Sequence, residues 1–288
     1  MTEPEFTVRR PPPALRQFVA SYTGYREVGR EPGRHRGLPS PYLTLIVTLD
    51  EPLVLSVRSD GRAGPERYDT LVGGLHTTSA LITHDGRQSG VQLTLTPPGA
   101  RALLGLPAGE LAGADLHLSE VMGDWAGRLR ERMLEGEDWA GRFAALDAEL
   151  LARVRVERTM PAEVARAWGL LMSSGGSVSA AELAREVGWS GRYLSRRFAE
   201  EIGLRPKEAA RVVRFDRARR RLRRAAALGE LGGRLTLADL AAGSGYCDQA
   251  HLAREFGALA GCPPSRWLAE EFRNVQAWGA ALAEDSGA

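Results

Sequence analysis

The pattern of apolar and polar positions changes character along the chain. Over roughly the first third, apolar positions fall in short β-like runs, Leu43 to Leu49, Pro52 to Ser59, Thr78 to Thr83 and Val91 to Thr96. Turn-forming clusters separate them, among them Asp60-Gly61, Gly73-Gly74, Asp85-Gly86 and Pro97-Pro98-Gly99. This spacing predicts a small antiparallel sheet domain. From Pro98 onward the period is helical, with segments near Gly99 to Leu104, Ser119 to Leu134, Trp139 to Val154 and Pro161 to Ser173. Ser119 suits an N-cap, and Pro161 a first helical turn. Ser173-Ser174-Gly175-Gly176-Ser177 is small and uncharged, as flexible joints are, and a boundary is expected close to it.

Beyond that joint the pattern is wholly helical and repeats itself. Ala181-Glu182-Leu183-Ala184 recurs as Ala238-Asp239-Leu240-Ala241, and Val187-Gly188-Trp189 as Ser244-Gly245-Tyr246, at an offset of 57. One extra residue then enters the turn. Leu194, Arg196, Phe198, Gly203 and Pro206 recur as Leu252, Arg254, Phe256, Gly261 and Pro264 at an offset of 58.

Each copy reads as helix, glycine-containing turn, helix. In the first, a short helix from Ala181 to Val187 precedes a second from Gly191 to about Ile202. Leu194 and Phe198 lie four apart on the face that must be buried, so Arg192, Ser195 and Arg196 point away from it near the helix N-terminus. In the second copy Asp248 suits the N-cap of a helix running to about Ala260, with Leu252 and Phe256 inward and Gln249, Ala250, Ala253 and Arg254 outward. A helix-turn-helix presents such positions to base edges: Arg bonds guanine in bidentate fashion, Gln bonds adenine, and Ser or Ala permits close approach. Between the copies, Arg205 to Arg224 holds ten basic residues against Glu208 and Asp216. Its apolar positions Ala209, Val212, Val213, Phe215, Ala218 and Leu222 predict one long helix that sets the separation of the two units. Some of its arginines are expected on phosphates, others on carboxylates or in water.

Charge agrees with this division. The net +2 of the 288 residues hides +6 over 174–275, where 18 Lys or Arg meet 12 Asp or Glu, and −2 over 1–174. Positive charge gathered in one segment suggests a polyanionic partner, through counterion release. No apolar run reaches the roughly 18 residues of a membrane span, and Met1 to Arg10 has no signal-peptide pattern, so no membrane partner and a cytoplasmic location are expected. The two cysteines, Cys247 and Cys262, have no metal-ligand or disulfide spacing and read as reduced thiols.

Over residues 178 to 273 the chain resembles the AraC/XylS-type transcription regulators. The resemblance is carried by Glu182-Leu183-Ala184 with Gly188, by Leu194-Ser195-Arg196-Arg197-Phe198 with Gly203 and Pro206, and by the run Gly245 to Phe256 with Gly261 and Pro264. It implies that Arg192, Ser195, Arg196, Gln249, Ala250 and Arg254 stand where members reach DNA. It also implies an N-terminal domain that senses an effector or mediates dimerisation, frequently a cupin-like β-barrel with appended helices.

An α+β chain is therefore expected: a β-rich cupin-like sensor over 1–110, a helical connector and dimerisation candidate over 111–157, a double helix-turn-helix DNA-binding domain over 158–275 and a tail over 276–288. Promoter DNA is the expected partner, with RNA polymerase, a small-molecule effector and a second copy as further ones. No cofactor is expected. The alternative is a DNA-binding enzyme or a metal-binding cupin fused to a helix-turn-helix domain. His35, His76, His84 and His117 all lie in the N-terminal half, yet no His-x-His pair occurs, and no cysteine precedes Cys247, so neither a metal site nor catalysis is expected. Tyr22, Tyr25, Tyr42 and Tyr68 are candidates for an effector pocket or for core packing.

Overall fold

Alternation places neighbouring side chains of a strand on opposite faces, and the N-terminal half uses both faces of one sheet. The computed structural model describes residues 5–232 and 235–270. Its strands are β1 (Glu5–Arg9), β2 (Val19–Glu27), β3 (Gly33–Gly37), β4 (Leu43–Thr48), β5 (Leu53–Val57), β6 (Ala63–Tyr68), β7 (Thr70–Gly73), β8 (Ala80–His84), β9 (Gln88–Leu95) and β10 (Asp115–His117). They form two antiparallel sheets, one ordered β1-β2-β9-β4-β7-β10 and the other β3-β8-β5-β6. Along β4, Leu43, Leu45 and Val47 join the main core, whereas Ile46 joins Leu53, Leu55, Leu71 and Ile82 in a smaller cluster between the sheets.

The four strongest runs become β4, β5, β8 and β9. The remaining strands escaped the pattern because their partners, rather than their own alternation, define them. β3 is Gly-Arg-His-Arg-Gly, β6 contains Gly64 and Pro65, and Gly73 ends β7 instead of making a turn.

The helices are α1 (Pro97–Gly99), continued by a π turn over Ala100–Leu104, then α2 (Leu118–Met122), α3 (Trp125–Leu134), α4 (Trp139–Arg153), α5 (Ala162–Ser173), α6 (Ala180–Glu186), α7 (Gly191–Ile202), α8 (Pro206–Ala227), α9 (Leu237–Ala242) and α10 (Gln249–Ala260). Residues 264–270 are helical as well. Ser119 does not cap a helix: it lies inside α2, whose N-cap is His117, and Gly123 at φ +58° divides the expected segment in two. Pro161 stands one position earlier than expected, at the N-cap of α5.

The expected joint at 173–177 is a packed turn. Gly175 and Gly176 both adopt left-handed conformations, and the Gly176 carbonyl accepts a 2.5 Å hydrogen bond from Arg214 Nη1 of α8. A Cβ on Gly176 would stand 2.4 Å from the Ala210 carbonyl oxygen, so glycine is required for this approach. The helix α5 accordingly packs on α6, α7 and α8. Among the described residues no helix is long and apolar enough to cross a membrane. The expected tail 276–288 lies outside the described residues, as do 271–275.

Candidate nucleic-acid interface

The two repeats build the same local devices from different residues. Ser179 and Glu182 form a capping box at the start of α6, and Thr236 and Asp239 form one at the start of α9. Gly188 at φ +71° and Gly245 at φ +79° turn the chain where a side chain would be strained. Ser190 Oγ accepts from the Tyr193 N–H at the start of α7, and Asp248 Oδ1 accepts from the His251 N–H, 2.6 Å away, at the start of α10. Both helices are 12 residues long and stop at a left-handed glycine, Gly203 or Gly261. Alignment of the turns makes Cys247 the extra residue. It is exposed, Cys262 is buried, and both thiols are free.

Inward faces are dry. Leu194, Phe198 and Ile202 of α7, and Leu252, Phe256 and Leu259 of α10, are fully buried. Phe198 meets Trp168 of α5 at 6.1 Å, while Phe256 lies between Phe215 of α8 at 4.8 Å and Trp267 at 5.7 Å. On the opposite faces Arg192 and Arg196 are exposed with Ser195 half-buried, and Gln249, Ala250, Ala253 and Arg254 are all exposed. The Arg196 guanidinium lies 5.4 Å from the Tyr193 ring centroid and 3.9 Å from Glu200. Tyr193, not singled out from the sequence, is 42% exposed on α7 and meets the Trp189 ring edge-to-face. The i, i+4 spacing of these two aromatics was its available signal.

The long helix α8 spans 22 residues, about 33 Å at 1.5 Å per residue. Many of its arginines are structural ties. Arg211 grips Glu255 of α10 through Nε and Nη2 at 2.9 and 3.0 Å, Arg214 holds the 173–177 turn, and Arg219 and Arg220 bond Asp216. Arg217 and Arg224 remain exposed.

Residues 183–270 match the family model described as "Helix-turn-helix domain". The chain is a DNA-binding transcription regulator with an AraC/XylS-type helix-turn-helix domain. Residues 7–117 match a second model, described as "Domain of unknown function (DUF6597)". The fold resembles that of an apo ToxT point variant from Vibrio cholerae, with 11% identity, 90% of this chain and 98% of that one covered, and a TM-score of 0.50. The C-terminal domain of AraT, a response regulator from Geobacillus stearothermophilus, matches at 21% identity over 38% of this chain and 84% of that one, with a TM-score of 0.33. No curated protein matches the sequence.

A second candidate site of this regulator is a cavity of about 580 Å³ between the two sheets, closed on one side by α8. Ser21, Thr23, Thr44, Gln92 and Thr94 face it from the six-stranded sheet, and Arg219, Arg220 and Arg223 from α8. The four tyrosines divide. Tyr42 lines this cavity, with the Arg220 guanidinium 5.8 Å from its ring centroid, and Tyr25 lines a neighbouring one. Tyr22 and Tyr68 are fully buried in the cores, where burial holds their hydroxyls well above the usual range. His35 lines the cavity, its ring 6.1 Å from that of His84, and burial together with His84 pushes its pKa down to about 4. It is therefore neutral near pH 7. Among the described residues no group of three or more His, Cys, Asp and Glu is arranged to hold a metal ion.

Proposed function

We propose that this regulator reads a two-part, non-palindromic promoter site in the cytoplasm, with α7 and α10 entering successive major grooves and an effector bound in the N-terminal cavity. The observation that carries the proposal is the pair of equivalently capped helices, each with a buried apolar face and an exposed polar one. Arg192, Ser195 and Arg196 form the first reading face, and Gln249, Ala250 and Arg254 the second. Because the faces differ, the two half-sites differ. The length of α8 is comparable with the roughly 34 Å over which a duplex returns its major groove to one side. Residues 1–110 act as sensor, 111–157 as connector and 158–275 as reader. The chain acts without catalysis, with RNA polymerase and a second copy as the further protein partners.

The test is selection of sheared genomic DNA by the full chain at physiological salt, against random duplex competitor. A shared two-part motif is expected among the survivors. On that motif Arg196→Ala and Arg254→Ala should each cost about 1 to 3 kcal/mol and relax preference at particular bases. Equal losses on selected and random DNA would remove base reading from these positions.

Backbone contacts give a different signature. Arg217→Ala and Arg224→Ala should weaken selected and random DNA alike and reduce the salt dependence of log K by about one per lost phosphate contact. A titration from low to high salt measures this slope. If it does not change, both side chains face solvent in the complex.

A further inference from the structure

The two reading units are fastened to the N-terminal half by different means. At the end of α7, Glu201 is bonded by Arg101 of the π turn through two 2.7 Å hydrogen bonds, and the Glu201 side chain is only 5% exposed. A Cβ on Gly109 would lie 2.2 Å from the Glu200 carbonyl oxygen, so backbone packs on backbone there. None of these residues lines the cavity. The second unit is held at the C-terminal end of α10 by Arg36 of β3. Arg36 Nη1 donates to the Ala260 carbonyl at 3.2 Å and Nε to Glu270 Oε2 at 2.8 Å, while Ser79 Oγ donates to the same Ala260 carbonyl at 3.1 Å. A cation at a helix C-terminus is favourably placed. The same Arg36 also stands on the cavity wall.

The chemistry of that wall indicates what would compete for it. Hydroxyls of Ser21, Thr23, Thr44 and Thr94 and the Gln92 amide offer donors and acceptors. Five arginines, Arg10, Arg36, Arg219, Arg220 and Arg223, share the wall with one carboxylate, Asp115, which accepts hydrogen bonds from the Ser59 N–H and hydroxyl. Guanidinium groups match a carboxylate in bidentate fashion. A purely hydrocarbon ligand would bury the hydroxyls and amide without partners, which is costly. A hydroxylated organic acid satisfies both.

We propose that Arg36 couples the cavity to the second reading unit: a hydroxylated organic acid in the cavity and Glu270 compete for one guanidinium, so occupancy loosens α10 while α7 stays fastened. Glu270 faces the Nε and Nη2 edge of Arg36, and a second carboxylate brought to it meets the like charge of the first. This coupling rests on the effector cavity proposed above.

The experiment compares the full native chain with Glu270→Gln and Arg36→Gln, using gluconate as probe. Glu270→Gln should accelerate amide hydrogen exchange over 249–260 by about tenfold, the effect of losing one charge-assisted bond, and leave 191–202 unchanged. Gluconate should produce the same local acceleration in the native chain and little more in Glu270→Gln. By calorimetry it should bind Glu270→Gln several-fold more tightly than the native chain, and Arg36→Gln much more weakly. Equal gluconate affinity in the native chain and Glu270→Gln overturns the competition, and unaltered exchange over 249–260 in Glu270→Gln overturns the clasp. Failure of gluconate to bind any of the three proteins overturns the ligand class while leaving the effector cavity to be judged by other compounds, and exchange in Glu270→Gln then judges the clasp alone.

Discussion

Phe256→Ala is expected to destabilise the second helix-turn-helix unit by about 3 to 5 kcal/mol, the range for removing a fully buried aromatic from a packed core. Phe256 fills the space where three elements meet, touching Phe215 of α8 and Trp267 beyond α10. None of these is positioned to collapse into the gap, because α8 is held by Arg211 to Glu255 on the same helix as the missing ring. Both the transfer of the ring and the residual cavity therefore contribute. Urea unfolding followed by tryptophan fluorescence and by amide exchange over 249–260 measures the loss. Binding to the selected two-part site should fall with it, since an unfolded α10 presents no reading face. An unchanged unfolding midpoint would mean that the buried face of α10 is misassigned.

Arg101→Ala is expected to cost about 3 kcal/mol, the lower end for breaking a buried ion pair, because Arg101 itself is 27% exposed and solvent relieves part of the loss. The asymmetry of the pair supplies the reason. Glu201 lies almost wholly within protein, so deleting its partner leaves an uncompensated carboxylate at the junction of α7 with the π turn. Replacing both residues by methionine should restore much of the stability, since the penalty belongs to the orphaned charge. A double-mutant cycle read by thermal unfolding separates the two cases. Additive losses would show that the pair is not coupled. Direct docking of α7 on the segment that holds Arg101 and Gly109 also predicts that Arg101→Ala loosens exchange over 191–202 before it affects 249–260.

Most of the reading helices was legible in the sequence because local rules govern them. Capping residues, left-handed glycines and the four-residue spacing of Leu194 with Phe198, or Leu252 with Phe256, act within one or two turns. They yielded the starts of α7 and α10 and their approximate ends, the capping role of Asp248 and the separation of buried from exposed faces. The change from β-like runs to helical period likewise separated sheet from helix. Less was legible where pairing comes from a distant partner. β3 and β6 carry glycine, proline and charge, and exist because β8 and β5 offer them free edges. The stretch 173–177 has the composition of a flexible joint, yet Arg214, 38 residues on, makes it a packed turn.

Composition and local pattern by themselves determined that the C-terminal third is two copies of a helix-turn-helix unit with basic, polar outward faces, because the turn glycines and the four-residue spacing of each copy act over short separations. The tertiary structure alone decided which arginines are bound internally and which remain outward, that a hydrogen-bonding cavity lies between the sheets, and that Arg36 reaches Glu270 across 234 positions. Those outcomes depend on how two sheets and α8 meet. A guanidinium on a short polar strand carries no mark in the chain of the carboxylate it will face once the fold has closed.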